Sequence, residues 1–262
     1  MKEKQELKEI VNGMVWSYSR LESFENCPYG WYLRYLEKEP SYMLFYTAYG
    51  KFMHELLAEY YGGKATPNEL EIFFLTNFKK RVPFCGISTK TVLNTFDKGV
   101  RFLRSLKPLP IRVVSVEEKF DFKIGNLCFT GIIDLLCENN GEFYIIDHKS
   151  KNLKPRSNRA KPTLNDIEID RMLKQLYLYS AAVKSKYGKF PTHLCFNCFN
   201  SQILINEIFD ESKYSETIEW ALRIIEKIKN TEIFSPVINY FFCKNICGQI
   251  NCCYGKGSDA YK

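Results

Sequence analysis

The densest chemistry in this sequence lies between Cys128 and Lys149, in the stretch CFTGIIDLLCENNGEFYIIDHK. Two apolar runs flank Asn139-Asn140-Gly141, a turn signal that favours a hairpin. The first run is apolar on both faces apart from Thr130 and Asp134, as expected of a covered central strand. In the second run, alternation places Phe143, Ile145, Asp147 and Lys149 on one face and Tyr144, Ile146 and His148 on the other. A carboxylate and an ammonium therefore end a mostly apolar face, close to Asp134. Buried charge is costly unless it is paired or bound to metal. Two acids and a lysine on one hairpin thus point to a divalent-cation site with a positive partner. Taken alone, Asp147 and Lys149 also fit an ordinary ion pair at a strand end.

Several elements must position these groups. Residues 49–61 read as a helix ending at Gly62-Gly63. His54, Leu57, Ala58 and Tyr61 share its inner face, so His54 is either a hydrogen-bonded core histidine or, with acids downstream, an imidazole ligand. Residues 111–124 form a long strand with Val114, Val116, Glu118, Phe120 and Phe122 on one face. Glu118 is then the single acid on that apolar face: a partner for a nearby lysine or tyrosine, or a site carboxylate. Gly125-Asn126 closes a tight hairpin into the next strand. Residues 166–187 form a strong helix, and Gln175 and Tyr179, four apart, lie together at the edge of its core stripe. That polar pair can reach toward the hairpin.

After Lys149 the chain runs SKNLKPRSNRAKPTLND, with Lys151, Lys154, Arg156, Arg159 and Lys161 and no acid before Asp166. Loops of this length are uncommon and tend to be functional or disordered. Beside a metal site these cations would track a phosphate backbone; the alternative is a solvated connector. Further helices are expected over residues 1–13, 67–81, 89–105 and 211–228, and over 20–36 with a break at Cys27-Pro28. Strands are expected over 192–200 and 202–209.

The chain has 262 residues, 45% hydrophobic and 15% aromatic, enough for a substantial core in one or at most two domains. A net charge of +7 and a pI near 8.8 are compatible with a nucleic-acid partner and equally with many other roles. The N-terminus carries no apolar signal core, and no apolar run reaches spanning length, so a cytoplasmic protein without a membrane partner is expected. Of ten cysteines, Cys85, Cys128, Cys137, Cys195 and Cys198 sit singly in apolar surroundings and read as core. Cys243, Cys247, Cys252 and Cys253 crowd one irregular C-terminal stretch, which suits zinc or an iron–sulfur cluster.

Gly131-Ile-Ile-Asp134 followed by Asp147-His-Lys149 resembles the GxxD…DxK signature of the PD-(D/E)XK nucleases, and more narrowly their RecB-like branch, which includes the AddB nuclease domain and the iron–sulfur nucleases of CRISPR adaptation. His54 in GKFMH, Gln175 and Tyr179 in QLYLY, and Cys27 with the C-terminal cysteines fall in the branch's order. The resemblance implies a restriction-endonuclease-like α/β fold: a central mixed sheet flanked by helices, in a single domain over 1–262. Within it are expected a helical lobe (14–107), a nuclease core (108–230) and a cysteine-rich segment (231–262).

The resemblance also implies hydrolysis of DNA phosphodiesters with Mg²⁺ or Mn²⁺. Asp134 and Asp147 would supply oxygen ligands, His54 a nitrogen, and His148 its carbonyl. Lys149 would orient the attacking water, Gln175 and Tyr179 would position Lys149 or the strand, and Glu118 would be an occasional further carboxylate. The branch pairs an N-terminal cysteine with Cys-x2-Cys-x5-Cys. Here the spacing is Cys243-x3-Cys247-x5-Cys253, or x4 if Cys252 is the ligand, one residue longer in the first gap than the branch's pattern; the resemblance implies a [4Fe–4S] cluster on Cys27, Cys243, Cys247 and Cys253, with zinc on the same ligands second. The expected activity is an exonuclease acting on DNA ends, with a helicase or recombination partner. A structure- or site-specific endonuclease and a non-catalytic DNA-binding subunit are the alternatives.

Overall fold

The computed structural model describes residues 4–249. Six helices precede the first strand: α1 (Lys4–Asn12), α2 (Tyr18–Asn26), α3 (Pro28–Tyr35), α4 (Phe45–Tyr61), α5 (Pro67–Arg81) and α6 (Thr89–Ser105). Then come β1 (Arg112–Ile124), β2 (Leu127–Asn139), β3 (Glu142–Lys149), α7 (Leu164–Tyr187), β4 (His193–Cys198), β5 (Ile203–Ile208), α8 (Glu211–Asn230) and α9 (Tyr240–Asn245). The strands lie in the order β1-β2-β3-β4-β5. Only β3 and β4, joined through α7, are parallel. The fold is thus α/β, with a mixed sheet flanked by helices.

Local chemistry accounts for the boundaries. Asn140 and Gly141, at φ 49° and 82°, adopt the left-handed pair that a two-residue hairpin turn needs. Pro67 opens α5 behind a Thr66/Glu69 capping box, and Thr163/Asp166 forms another at the start of α7. Gly188, at φ 78°, ends α7 in the left-handed conformation. Cys27 separates α2 from α3, its thiol accepting the Gly30 N–H at 3.3 Å.

Three packed regions follow. One face of the sheet, through Phe120, Ile133, Phe143, Ile145 and Phe196, buries α7 and α8 with α1–α3. Residues 14–36, which the sequence reading grouped with the helical lobe, pack into this main core through Trp16, Leu21, Phe24 and Trp31. The lobe with its own core is α4–α6, together with Phe199 from the sheet side. On the sheet's other face, Leu135, Cys137, Ile146 and Cys195 are covered by Tyr61, Leu109 and Ile111.

The C-terminal stretch, expected to be irregular, contains α9. Its continuation docks on the α3–α4 linker: Tyr42 N–H donates to the Gly248 carbonyl at 2.8 Å, and Ser41 bridges to Gln249. Gly248 has φ 65° and lies against the Tyr42 carbonyl, where a side chain would collide.

Asp166 closes both the α7 cap and the long loop before it. Its carboxylate accepts the backbone N–H and hydroxyl of Ser157, at 2.9 and 2.6 Å, and the N–H and hydroxyl of Thr163, both at 2.7 Å. These hydrogen bonds, Ser157's first, hold its pKa well below the usual carboxylate range. A depressed folded-state pKa stabilises the fold above the unfolded value near 3.9, and the contribution fades as pH falls through the folded one. Asp166→Asn should therefore lower the melting temperature at pH 7, and the gap to wild type should narrow as pH drops from about 5 toward 2. A pH-independent gap in thermal unfolding would contradict this.

Candidate metal centre

The centre forms where β2 and β3 part. Their pairing runs from Asn139↔Glu142 to Leu135↔Ile146 and stops there. Farther along β2 its edge is taken by the chain before α2: Trp16 N–H donates to the Cys128 carbonyl and the Trp16 carbonyl accepts from Thr130 N–H, both at 2.8 Å. In the gap, Asp134 Oδ2 accepts the His148 backbone N–H at 2.7 Å. The buried carboxylate thus takes the place of a missing strand partner, and the motif is anchored by backbone geometry.

Across the β1–β2 pair, Glu117 and Asp134 lie between the Val116↔Leu135 and Glu118↔Ile133 pairs and so face each other. Glu117 holds φ 48°, a conformation uncommon for a non-glycine residue and a sign of local constraint. α4 lies over the same face and delivers His54, whose Nδ1 is 3.3 Å from Asp134 Oδ2 and 3.7 Å from Glu117 Oε1. Ligand atoms of His54, Glu117 and Asp134 all fall within 4.8 Å of one another, spacing that fits a single cation. Burial alone would depress the His54 pKa, but the hydrogen bonds it donates to Asp134 and Glu117 outweigh this and raise it to about 10. For Asp134 burial pushes up, and His54 overcomes this to bring it down to about 2.

On the α7 side, Asp147 Oδ2 lies 2.6 Å from Lys149 Nζ. That oxygen is buried, and the ammonium is its charge partner. Burial raises the Asp147 pKa to about 6, against the pull of Lys149. Burial would lower that of Lys149, but Asp147 keeps it raised and the ammonium charged. Lys149 also donates to Gln175 Oε1 at 2.9 Å, and Gln175 Nε2 donates to the Tyr179 hydroxyl at 3.2 Å. Tyr179 in turn lies over Gly131, where any Cβ would collide with its ring. The glycine of the Gly131-Ile-Ile-Asp134 motif is thus required by the close approach of α7 to β2.

His148 turns its ring to the α4 side. It stacks on Tyr61 (5.6 Å between centroids, 12° between planes), meets His54 edge-on, and shares a 3.0 Å hydrogen bond with Asn197. Asn197 donates through Nδ2, so Nδ1 accepts and the ring proton sits on Nε2. Burial lowers the His148 pKa to about 4 and keeps it neutral beside His54.

Other expected site residues fall elsewhere. Glu118 faces α7 and pairs with Lys186, away from His54 and Asp134. The register explains the displacement: Gly125-Asn126 sets Ile124 opposite Leu127, and counting back along both strands brings Glu117, not Glu118, to Asp134. Strand alternation places Glu118 with Phe120 and Phe122, and it does lie on that α7-facing side; His54 and Asp134 meet on the opposite face, which Glu117 occupies. In the basic loop, Lys151 pairs with Glu168, and Arg156 joins Glu207 at 2.8 Å and Asp170 at 2.6 Å. Lys154, Arg159 and Lys161 are exposed. Cys27 and Cys247 line one cavity of about 340 Å³, together with Trp31 and Gln249. Cys243 lies on α9, and Cys252 and Cys253 fall outside the described residues.

The chain belongs to the PD-(D/E)XK nuclease superfamily, whose sequence profile matches residues 15–254. Its fold resembles the crystal structure of a protein from Eubacterium rectale named as a putative exonuclease. The TM-score is 0.51 at 12% identity, over 98% of this chain and 92% of that one. No curated protein matches the chain. Members of the superfamily use divalent metals, and the donors gathered here fit one. No helix among the described residues is long and apolar enough to cross a membrane.

Gly131→Ala should destabilise the fold by about 1–3 kcal/mol through overpacking against Tyr179. Adding Tyr179→Ala should make the glycine substitution nearly neutral, a coupling readable in a urea-denaturation double-mutant cycle. Strict additivity would mean that the ring does not rest on Gly131.

Proposed function

We propose that this nuclease is a divalent-metal-dependent deoxyribonuclease that degrades DNA from its ends. The observation that carries the proposal is the convergence of His54, Glu117 and Asp134 on one point, with Asp147 and Lys149 beside them. His54, Glu117, Asp134, Asp147 and the His148 carbonyl are the proposed ligand set, and the imidazole suits Mn²⁺ better than Mg²⁺. When bound, the cation generates hydroxide at neutral pH and relieves charge on the phosphate. Lys149 holds the attacking water and faces the charged phosphate oxygens. Gln175 and Tyr179 fix the Lys149 ammonium in place. The buried Asp147 carboxylate, held beside the Lys149 ammonium, is suited to accept a cation contact as well. Attack at DNA ends is supported by the name of the E. rectale structure and by the resemblance to the RecB-like branch. The same resemblance suggests a cytoplasmic enzyme working with a helicase or recombination partner.

A second centre is part of the proposal: a [4Fe–4S] cluster on Cys27, Cys243, Cys247 and Cys253, with zinc as the alternative occupant. Its support is the cavity shared by Cys27 and Cys247, two residues from opposite ends of the chain. Buried polar atoms of Trp31 and Gln249 also line it and find no partner among the described residues. Such a centre staples the C-terminal segment to α2 and α3 and contributes to folding free energy. Anaerobically purified protein should contain iron and sulfide in near-equal amounts, and Cys27→Ser should lose both and unfold at lower temperature. Stoichiometric zinc without iron would replace the cluster; neither metal would end this part of the proposal.

The nuclease itself is tested with end-labelled DNA and Mn²⁺. Asp134→Ala, Asp147→Ala and Lys149→Ala should each lower the rate on the order of a thousandfold while leaving the melting profile largely intact. Glu117→Gln should weaken Mn²⁺ binding measured by calorimetry, whereas Glu118→Gln should leave it unchanged. Full activity in Asp147→Ala would rule out this centre, and internal fragments as first products would replace end-wise degradation with endonucleolytic cleavage.

A further inference from the structure

The outer face of the β1–β2 hairpin continues outward from the metal centre. Beyond Glu117 and Asp134, the pairs Lys119↔Ile132, Asp121↔Thr130 and Lys123↔Cys128 follow in one unbroken register. Their intervening neighbours, Phe120, Phe122, Phe129 and Ile133, are buried in the main core. Lys119, Asp121 and Lys123 therefore point the other way, onto the face that carries Glu117 and His54. α4 covers this face at Glu117 but not farther out, where Lys119, Asp121, Lys123, Cys128 and Ile132 are all exposed. A cavity of about 470 Å³ lies there, lined by Val15, Arg20, Lys119, Asp121, Lys123 and Thr130.

We infer that this hairpin face is the track for the phosphodiester backbone of the substrate strand, and that Lys119, Lys123 and Arg20 are its phosphate contacts. The inference rests on the proposed nuclease activity and adds a binding surface to it. Three cations face one acid, so the patch is positive and continuous with the centre. The Lys119–Asp121 contact of 3.5 Å joins two side chains about two-thirds exposed, an ion pair weak enough to yield to a phosphate. Lys119 and Lys123 are separated by about 14 Å along the strand, the length of about four stacked nucleotides. The exposed Ile132 and Val15 offer apolar surface to bases at the same level. The basic loop after Lys149 is less available for this work, since Lys151 and Arg156 are engaged by Glu168, Glu207 and Asp170.

The test uses a fluorescein-labelled twenty-nucleotide oligothymidine and fluorescence anisotropy. Binding is measured in Ca²⁺ with the Asp147→Asn protein as parent, so that the strand stays intact. Lys119→Glu/Lys123→Glu in that parent should weaken binding about tenfold or more and reduce the salt slope by about 1.4, the release expected for two single-strand phosphate contacts. Arg159→Glu/Lys161→Glu should leave the slope closer to that of the parent. In protein with Asp147 intact, the hairpin variant should still hydrolyse thymidine 5′-monophosphate p-nitrophenyl ester with Mn²⁺, because that substrate reaches only the centre. An unchanged affinity and slope in the hairpin variant, or a shift confined to the loop variant, would overturn the track while leaving the nuclease standing. Loss of ester hydrolysis in the hairpin variant would overturn it too, by showing that the substitutions damage the centre. A parent that binds no DNA and an enzyme that cleaves neither substrate would sink both proposals.

Discussion

Burying two carboxylates beside an ammonium sets the terms for everything around the centre. Asp134 and Asp147 are both nearly inaccessible, and an isolated buried charge costs several kcal/mol. Each is compensated by a different layer. Asp134 takes the His148 backbone N–H and the His54 imidazole from α4. Asp147 takes Lys149, which is itself held by Gln175 from α7. The sheet supplies the acids and the lysine, α4 supplies the His54 imidazole, and α7 supplies the Gln175 that holds the ammonium. The arrangement can form only when both faces are packed.

This division explains what the sequence disclosed and what it hid. Turn chemistry was legible: Asn140-Gly141 and Gly125-Asn126 closed two hairpins, and from them follow strands β1–β3 and the proximity of Asp134 to Asp147. The helical stripe that turned His54 inward was legible too, because i, i+3, i+4 and i+7 neighbours share a face. Glu117 was hidden because it lies on the face opposite Phe120 and Phe122, and nothing in the strand's own pattern marks that face as the one His54 reaches. It could have been recovered by counting register from the Gly125-Asn126 turn, because pairing propagates from a tight turn with no free parameter. The fate of Arg156 was not legible at all. Its partners, Asp170 and Glu207, lie on a helix and a strand that only tertiary packing brings to the loop. A run of cations in sequence therefore overstated the charge that the loop presents.

Gly131 shows how a motif letter acquires a physical cause. In sequence it was one small residue in a resemblance. In the fold it is a point where α7 packs close against β2, and Tyr179 fills the volume that a side chain would need. Gln175 can reach Lys149 only at that separation, so the glycine acts on the lysine through two intermediates and touches neither the acids nor their partners.

The α4–α6 lobe is joined to the centre by a short and specific connection. Phe199, just past β4, is fully buried in the lobe's core, and its N–H donates to the Lys149 carbonyl at 3.1 Å. Asn200 follows: its amide donates to the Ser150 carbonyl at 2.5 Å and its carbonyl accepts the Tyr49 hydroxyl of α4 at 2.8 Å. One turn of chain thus ties the end of β3 to the helix that carries His54. Any shift of the lobe against the sheet must pull on the backbone of Lys149 and Ser150 as well as on His54. The imidazole and the ammonium, which sit on opposite faces of the sheet, are in this way set by the same docking. That coupling lets a centre assembled from two helices and three strands keep one geometry.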